Sequence, residues 1–343
     1  MLAADIAGDP TAQTVLLFHG GGQTRHSWGG TLCALVGRGY HVASVDLRGH
    51  GDSDWSPGGN YDGSVFPNDV ELVARRFDQP VLVGASLGGT SALMAVHQGR
   101  ERDGQDVAGA LVLVDVAPNI EPAGVDRIRS FMHEHIETGF ESLDDVADAI
   151  QRYNPHRPRP TNLAGLEKNV RFRNGRWFWH WDPAFMWGKH ADSDETRIVD
   201  FEQRSKALEA AARGLTIPTL LVRGRQSDLL SEEGAQKFLG FVPHAEYADV
   251  VGAGHMVAGD RNDVFTDAVV DGLRDRGIEM TQVELEVGLG TFRPVTTDRL
   301  VDHVLDHAKR AQGVELHLLV ALGVDVAVAV LVVVHLQLTR QER

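Results

Sequence analysis

The chain has 343 residues, of which 43% are hydrophobic and 24% are charged, and these proportions are typical of a globular protein. This length is enough for one large α/β domain with an insertion. The formal net charge is −15 and the pI is near 5.5, so the average field repels phosphate backbones and anionic membrane surfaces. The composition therefore excludes nucleic acid as an expected partner and disfavours a membrane partner.

Cys33 is the single cysteine of the chain, which excludes an intrachain disulfide framework and disfavours a cysteine metal site. A lone thiol fits a reducing compartment, and the first residues lack the basic and apolar pattern of a secretory leader. We therefore expect a cytoplasmic protein. The apolar helical pattern around Cys33 predicts that its thiol is buried.

Apolar runs alternate with helical stretches along the chain. The predicted strands are residues 14–20, 41–51 (with a turn), 80–86, 109–118, 218–224 and 245–252. The predicted helices in the first part are residues 29–38, 68–77 and 87–97. Strands separated by helices indicate an α/β fold with a mostly parallel central sheet flanked by helices. The predicted core comprises residues 1–118 and 215–278.

Residues 119–214 interrupt this alternation, and no clear strand is visible in them. They contain RWFWHWDPAFMW, which holds four of the six tryptophans. An aromatic insertion between two strands predicts a helical cap over the carboxyl edge of the sheet. The candidate pocket residues are Trp177, Trp179 and Trp181; the alternative is that these rings only pack the cap onto the core.

The tail, residues 279–343, does not continue the core pattern. Its run ELHLLVALGVDVAVAVLVVVHLQL approaches the length of a membrane span, but Asp325 interrupts it. A weak anchor, an extra strand or buried helix, and passenger sequence are competing interpretations. Val287 to Val295 resembles a short piece of bacterial S-adenosylmethionine:tRNA ribosyltransferase-isomerases, without the rest of that enzyme. We favour a read-through or chimeric tail without a function here.

The stretch Gly84-Ala85-Ser86-Leu87-Gly88 follows an apolar strand and precedes a helix. A serine hydroxyl needs a base to become a nucleophile, and it must stand clear of the sheet to meet a carbonyl group. A tight strand-to-helix turn meets the second need, and small residues around the serine relieve the crowding of that turn. The context therefore predicts that Ser86 is a nucleophile.

A second glycine-rich turn, His19-Gly20-Gly21-Gly22, ends the strand 14–20. Successive glycines allow the backbone to approach a ligand closely. Acyl transfer needs donors where the oxyanion forms, each contributing about 3 kcal/mol. We assign these donors to the backbone N–H groups of Gly21 and Leu87, the alternative being a flexible turn.

The base and the acid are predicted from their positions after strands. His255 follows the last predicted core strand, where a serine–acid–histidine order places the base. Asp228 follows the strand 218–224, and Asp115 lies at the end of the strand 109–118. Either carboxylate could orient the imidazole. We favour Asp228 and keep Asp115 as the alternative acid.

These segments together, HGGGQTRHSW, DLRGHGDSDW, GASLGG, LVDVAP, LLVRGRQSD and GAGHM, resemble the α/β-hydrolase superfamily over residues 13–275. The resemblance is greatest to small bacterial carboxylesterases with a helical cap. It implies an eight-stranded sheet, a cap after the sixth strand, and a triad of Ser86, Asp228 and His255. Some cap-bearing relatives take the acid from the position of Asp115. The chain departs from the family in having little room before Thr14 for two strands.

The expected function is therefore that of a carboxylesterase-type serine hydrolase. Ser86 would form an acyl-enzyme with a small-molecule ester, and no metal or cofactor is required. Carbon–carbon bond hydrolysis or cofactor-free perhydrolysis on the same triad is the alternative chemistry. A receptor-like protein that binds a ligand on this fold is an alternative of another class.

Overall fold

A computed structural model describes residues 1–155, 159–160, 162–186, 194–255 and 262–274. The predicted tail, residues 279–343, lies outside the described residues.

A mostly parallel sheet forms the centre of the described structure. The strands are β1 (Ala4–Ala7), β2 (Thr14–Phe18), β3 (His41–Val45), β4 (Val81–Ala85), β5 (Ala110–Val114), β6 (Val170–Arg173), β7 (Arg176–Trp179), β8 (Thr219–Gly224) and β9 (Glu246–Val250). Seven of them form one sheet in the order β1-β3-β2-β4-β5-β8-β9. All its neighbours are parallel except β1, which runs antiparallel to β3. The predicted α/β fold class is confirmed, and in the described chain one strand, rather than the family's two, precedes β2.

Helices cover both faces of this sheet. They are α1 (Gly29–Val36), α2 (Val65–Ala74), α3 (Leu87–Asp103), α4 (Pro122–His133), α5 (Leu143–Tyr153), α6 (Asp194–Arg213), α7 (Glu232–Phe241) and α8 (Thr266–Arg274). Alternate side chains of β2 enter different apolar clusters: Leu16 and Phe18 enter the one shared with α2 and α3, and Val15 and Leu17 enter the one shared with α1 and α8. The central strands are continuous apolar runs because both of their faces are buried.

The region predicted as a helical cap also contains a β-hairpin, which corrects the expectation that it holds no strand. β6 and β7 pair antiparallel and are joined by Asn174 and Gly175, whose φ angles are 52° and 80°. An Asn-Gly pair favours such a two-residue turn because both residues tolerate positive φ. The hairpin packs with α4 and α5 around a separate apolar cluster that includes Phe131, Ile150 and Trp179.

Helix α6 ends this region but belongs partly to the core. Leu208, Ala211 and Ala212, near its C-terminal end, are buried in the same cluster as side chains of α2 and α3. The limits 119–214 for the cap stay a prediction, and α6 carries the chain from that region back onto the sheet.

Cys33 lies on the exposed side of α1, which corrects the expectation of a buried thiol. Thr31 and Leu35 are the buried positions of this helix. These two residues are four apart and share one helical face, whereas Cys33, midway between them, points away from that face.

Candidate active site

Ser86 lies at the turn between β4 and α3 with φ 46° and ψ −111°, outside the helical and extended regions. A positive φ at a non-glycine residue is strained and is held by its surroundings. A Cβ atom on Gly84, Gly88 or Gly89 would lie less than 3.0 Å from neighbouring heavy atoms, including the backbone carbonyl oxygen of Phe18 beside Gly88. The turn therefore packs as the sequence predicts, with the partly exposed Ser86 at its tip.

The glycine loop after β2 lies beside this turn. A Cβ atom on Gly20 would lie 3.4 Å from Cβ of Ser86, and one on Gly21 would lie 3.9 Å from Cδ2 of Leu87. Within the described residues, the backbone N–H groups of Gly21 and Leu87 have no protein acceptor. The structure thus brings together the three residues to which the sequence assigned nucleophile and oxyanion roles.

Buried side chains hold the glycine loop in place. The N–H of Gly20 donates to Oε1 of Gln23 at 2.9 Å, and the N–H of Gly22 donates to Nε2 of His50 at 3.1 Å. Nδ1 of His50 donates to the carbonyl oxygen of Arg48 at 3.0 Å. A neutral ring that carries its proton on Nδ1 therefore makes both hydrogen bonds. Burial lowers the pKa of His50 to about 3, which keeps the ring neutral.

Neither His50 nor Gln23 received a role in the sequence analysis. The sequence signal that could have identified His50 is its position in RGHG. This glycine turn follows a core strand, in the same way as the turn HGGG.

His255 follows β9, and its side chain is buried against Asp115. Nδ1 of His255 lies 2.7 Å from Oδ2 of Asp115, and each side chain is about 3% exposed. The carboxylate of Asp115 also accepts from the N–H of Gly224 at 2.9 Å and from the hydroxyl of Ser227 at 2.8 Å. A carboxylate with these donors is fixed in place, and it can orient the imidazole so that Nε2 serves as a base.

Asp228 makes a different pair, which corrects the preference for it over Asp115 as the partner of His255. Its Oδ2 accepts from Nη1 of Arg127, on α4, at 2.6 Å, and its side chain is 31% exposed. The loop after β8 turns so that Ser227 faces Asp115 while Asp228 faces the cap region. Asp228 is thus occupied by an ion pair at the surface.

The predicted pocket tryptophans mainly pack the cap. Trp179 and Trp181 are 5% and 2% exposed and belong to the apolar cluster of the cap. Trp177 is half-buried, and its ring centroid lies 5.1 Å from that of Phe172. None of the three lines the cavity of about 370 Å³ that borders His255. The two buried indoles do not fit a pocket role, and the role of Trp177 stays a prediction.

Phe185 is an aromatic residue that reaches the glycine loop, and it was not among the predicted site residues. A Cβ atom on Gly21 would lie 3.5 Å from Cζ of Phe185. The Phe185 ring contacts His50 edge-on, with centroids 5.0 Å apart, and Trp181 packs edge-on 6.5 Å away. Phe185 therefore forms an apolar wall over the proposed oxyanion donors.

Hydrogen bonds between cap and core fix the segment that carries Phe185. The N–H of Gly51 donates to the carbonyl oxygen of His180 at 2.8 Å, and the N–H of Asp182 donates to that of Gly49 at 2.7 Å. The hydroxyl of Tyr61 donates to Oδ2 of Asp182 at 2.6 Å. Because these contacts lie three to five residues before Phe185, they fix the segment that holds its ring over the glycine loop.

The described residues contain neither a cluster of metal ligands nor a membrane-spanning helix. No group of three or more His, Cys, Asp or Glu side chains there could hold a metal ion. No helix in that part of the chain has the length and apolar character needed to cross a membrane.

The alpha/beta hydrolase family model matches residues 15–268. The chain belongs to this family. It is 29% identical to an esterase of Mycobacterium tuberculosis over 259 residues, which are 73% of this chain and 79% of the esterase. It is also 29% identical to a 3-hydroxybutyrate-oligomer hydrolase of Cupriavidus necator over 260 residues, 72% of this chain and 84% of that enzyme.

Solved structures agree with this assignment. The Mycobacterium tuberculosis esterase superposes with a TM-score of 0.59 at 27% identity, covering 80% of this chain and 89% of the esterase. An E-2-(acetamidomethylene)succinate hydrolase superposes with a TM-score of 0.65 over 80% of this chain and 95% of its own, and at 22% identity it supports the fold alone. The chain is therefore an enzyme with hydrolase activity of the esterase type.

A separate similarity involves only 39 residues. Over this length the chain is 56% identical to an S-adenosylmethionine:tRNA ribosyltransferase-isomerase of Heliobacterium modesticaldum, which is 11% of each chain. A match of this length does not support assigning that enzyme's activity to the present chain.

Proposed function

We propose that this protein is a carboxylesterase in which Ser86, His255 and Asp115 act as a catalytic triad. The buried 2.7 Å contact between His255 and Asp115 carries the proposal. Ser86 follows β4, Asp115 follows β5, and these strands are parallel neighbours in the sheet. Their carboxyl ends lie at the same edge, where open α/β sheets bind ligands.

The proposed reaction is acyl transfer in two steps. His255 accepts the proton of the Ser86 hydroxyl at Nε2 while Oγ attacks the ester carbonyl carbon, and Asp115 stabilises the imidazolium that forms. The oxyanion accepts hydrogen bonds from the N–H groups of Gly21 and Leu87. His255 then protonates the leaving alcohol. Water, deprotonated by His255, attacks the acyl-enzyme and releases the carboxylic acid and Ser86.

The similarity to an esterase and to an oligomer hydrolase supports an ester of a carboxylic acid as substrate. Phe185 and Leu87 border the loop where the carbonyl group would be held, so an apolar group of modest size fits beside it. The substrate class we propose is thus a small-molecule ester.

Hydrolysis of short p-nitrophenyl esters by the wild-type protein and by Ser86→Ala tests this function. We expect the wild type to turn over and the Ser86→Ala variant to lose about 10³- to 10⁶-fold in kcat, because removing the nucleophile leaves only binding and oxyanion stabilisation. Ser130→Ala is the matched control, since Ser130 lies on α4 and its hydroxyl donates only within that helix.

Two results would contradict the proposal. Equal activity of the wild type and Ser86→Ala would exclude Ser86 as the nucleophile. A folded wild type that leaves esters intact but cleaves vinylogous diketones would favour carbon–carbon hydrolysis on the same residues, and tight ligand binding without turnover would favour a receptor.

A further inference from the structure

The amide groups of the glycine loop after β2 differ in what they bind. The N–H of Gly20 donates to Oε1 of Gln23 at 2.9 Å, and the N–H of Gly22 donates to Nε2 of His50 at 3.1 Å. The N–H of Gly21, between them, has no acceptor within the described residues. Two buried side chains therefore fix the peptide groups on either side of the proposed oxyanion donor.

His50 is itself held on several sides. Its side chain is fully buried, and Nδ1 donates to the carbonyl oxygen of Arg48 at 3.0 Å. The rings of Phe185 and Phe66 both lie edge-on to the imidazole, with centroids 5.0 and 6.3 Å away. The neutral ring therefore presents Nε2 to the glycine loop as an acceptor in one fixed direction.

The turn that carries His50, RGHG, is also fastened to the cap. His50 and Trp181 form an antiparallel β-bridge, and the N–H of Gly51 donates to the carbonyl oxygen of His180 at 2.8 Å. The turn is thus bonded through its backbone to the cap and through a side chain to the glycine loop. Such a turn is a rigid support for the loop, as a precise site requires.

The glycine loop lies directly against the turn of the nucleophile. A Cβ atom on Gly20 would lie 3.4 Å from Cβ of Ser86, and the N–H of Gly88 donates to the carbonyl oxygen of His19 at 3.1 Å. Oxyanion donors act over about 2.7–3.1 Å, so a shift of about 1 Å in the loop removes much of their effect. The direction of the Gly21 N–H therefore depends on what holds its two neighbours.

We propose that His50 is a positioning residue that acts through Gly22 to aim the N–H of Gly21 at the oxyanion. Gln23 acts in the same way through Gly20. This inference rests on the proposed function. The oxyanion forms only as the reaction proceeds, so a misdirected donor slows the reaction without weakening the binding of the substrate. His50 itself exchanges no proton with the substrate, because both of its ring nitrogens are already bonded.

The test compares His50→Leu, which removes the acceptor, with His50→Gln, whose Oε1 can take the place of Nε2. In His50→Leu we expect kcat on p-nitrophenyl acetate to fall about 10- to 100-fold and KM to stay within about threefold, because one oxyanion donor is misplaced. A short-chain trifluoromethyl ketone, which forms a tetrahedral oxyanion adduct with the nucleophile, should bind more weakly by the same factor. His50→Gln should recover most of both losses.

His41→Leu is the matched control. His41 is also buried, at the start of β3 and thus at the opposite end of that strand from the RGHG turn, and its Nδ1 lies 3.1 Å from Oγ1 of Thr14. This variant should lower stability but leave kcat and the affinity for the ketone unchanged. Gln23→Leu removes the acceptor for Gly20 and should lower both together, which keeps the test possible if His50→Leu does not fold.

Hydrogen exchange separates this inference from the proposed function. The amide proton of Gly22, followed by NMR, should exchange faster in His50→Leu than in the wild type and in His41→Leu. This result would support the role of His50 in holding the loop even if the wild type hydrolyses no ester, an outcome that would contradict the proposed function alone.

Two results would overturn the positioning role while ester hydrolysis still stood. One is unchanged exchange at Gly22 or an unchanged kcat in His50→Leu. The other is a loss of kcat in that variant without a matching loss of affinity for the ketone, since that outcome marks a structural role away from the oxyanion.

Discussion

The carboxylate of Asp115 accepts hydrogen bonds from an imidazole, a backbone N–H and a hydroxyl, and Asp115 itself has φ 52°. A residue in a strained backbone region whose side chain is this fully bonded is held in one orientation. That orientation directs the carboxylate at Nδ1 of His255, so the imidazole keeps Nε2 available for proton transfer.

Replacing Asp115 therefore affects catalysis far more than replacing Asp228. We expect Asp115→Asn to lower kcat by about 10³- to 10⁴-fold, because the amide does not stabilise the imidazolium and favours the wrong tautomer. Asp228→Asn, the matched control, should stay within about threefold of the wild type, because its loss breaks only a half-exposed ion pair. Steady-state kinetics on p-nitrophenyl acetate measure both, and a larger loss in Asp228→Asn would exclude Asp115 as the acid.

The choice between these two carboxylates could not be read from the sequence. Both follow strands that end at the carboxyl edge of the sheet, and their spacing to His255 does not exclude either. The deciding feature is the direction of the loop after β8, where Ser227 bonds to Asp115 and Asp228 turns towards Arg127. Ser86 and His255 were easier to find: Ser86 directly follows the buried strand β4 with glycines two residues to either side, and His255 is preceded by glycines after the last sheet strand.

At the scale of elements, the turn around Ser86 depends on glycines that admit no side chain. We expect Gly88→Ala to destabilise the fold by about 1–3 kcal/mol and to reduce activity at permissive temperature, because the new Cβ would press on the backbone of Phe18 and displace the turn. Gly240→Ala, in α7, is the control, since nothing lies within 4 Å of its Cβ position, and it should be neutral or stabilising by up to about 1 kcal/mol. Urea denaturation measures both, and a Gly88→Ala variant of wild-type stability and activity would contradict the tight packing described for the turn.

The sheet strands were predicted most easily where both of their faces are buried. Five of the six strands that were located, β2, β3, β4, β5 and β8, are buried along their whole length, which leaves apolar runs in the sequence. The sixth, β9, is a half-buried strand at the sheet edge. β1 was missed because it is short and lies at the sheet edge, where most of its residues are as exposed as those of a loop. The hairpin of β6 and β7 was missed because arginines and aromatic residues share its strands, although the Asn174-Gly175 turn marked it.

Neutral buried histidines make the free energy of unfolding of the whole molecule depend on pH. Burial lowers the pKa of His50 to about 3 and that of His180 to about 4, and it also lowers the pKa of His19. In the unfolded chain these rings titrate near 6.5. Below that value the unfolded state binds more protons than the folded state, so the stability these rings contribute is present above about pH 6.5 and is lost as pH falls towards 4 and then 3.

We therefore expect the free energy of unfolding to fall between pH 7 and pH 5, before most carboxylates are protonated. Urea denaturation at half-unit steps of pH measures the slope, and His50→Gln should make it shallower by up to about one proton's contribution, 1.4 kcal/mol per pH unit. A free energy of unfolding that is constant over this interval would show that the buried rings are protonated in the folded state.

The exposed thiol of α1 makes the molecule suitable for labelling at a single site. Cys33 is the sole cysteine, so a maleimide dye attaches at one defined point on the core. Four of the six tryptophans lie in the single stretch from Trp177 to Trp187. Of these, Trp177, Trp179 and Trp181 lie outside the central sheet. In a Trp28→Phe background, needed because Trp28 directly precedes α1, energy transfer from these indoles to a dye on Cys33 would report the separation of cap and core in solution while a substrate is bound and released.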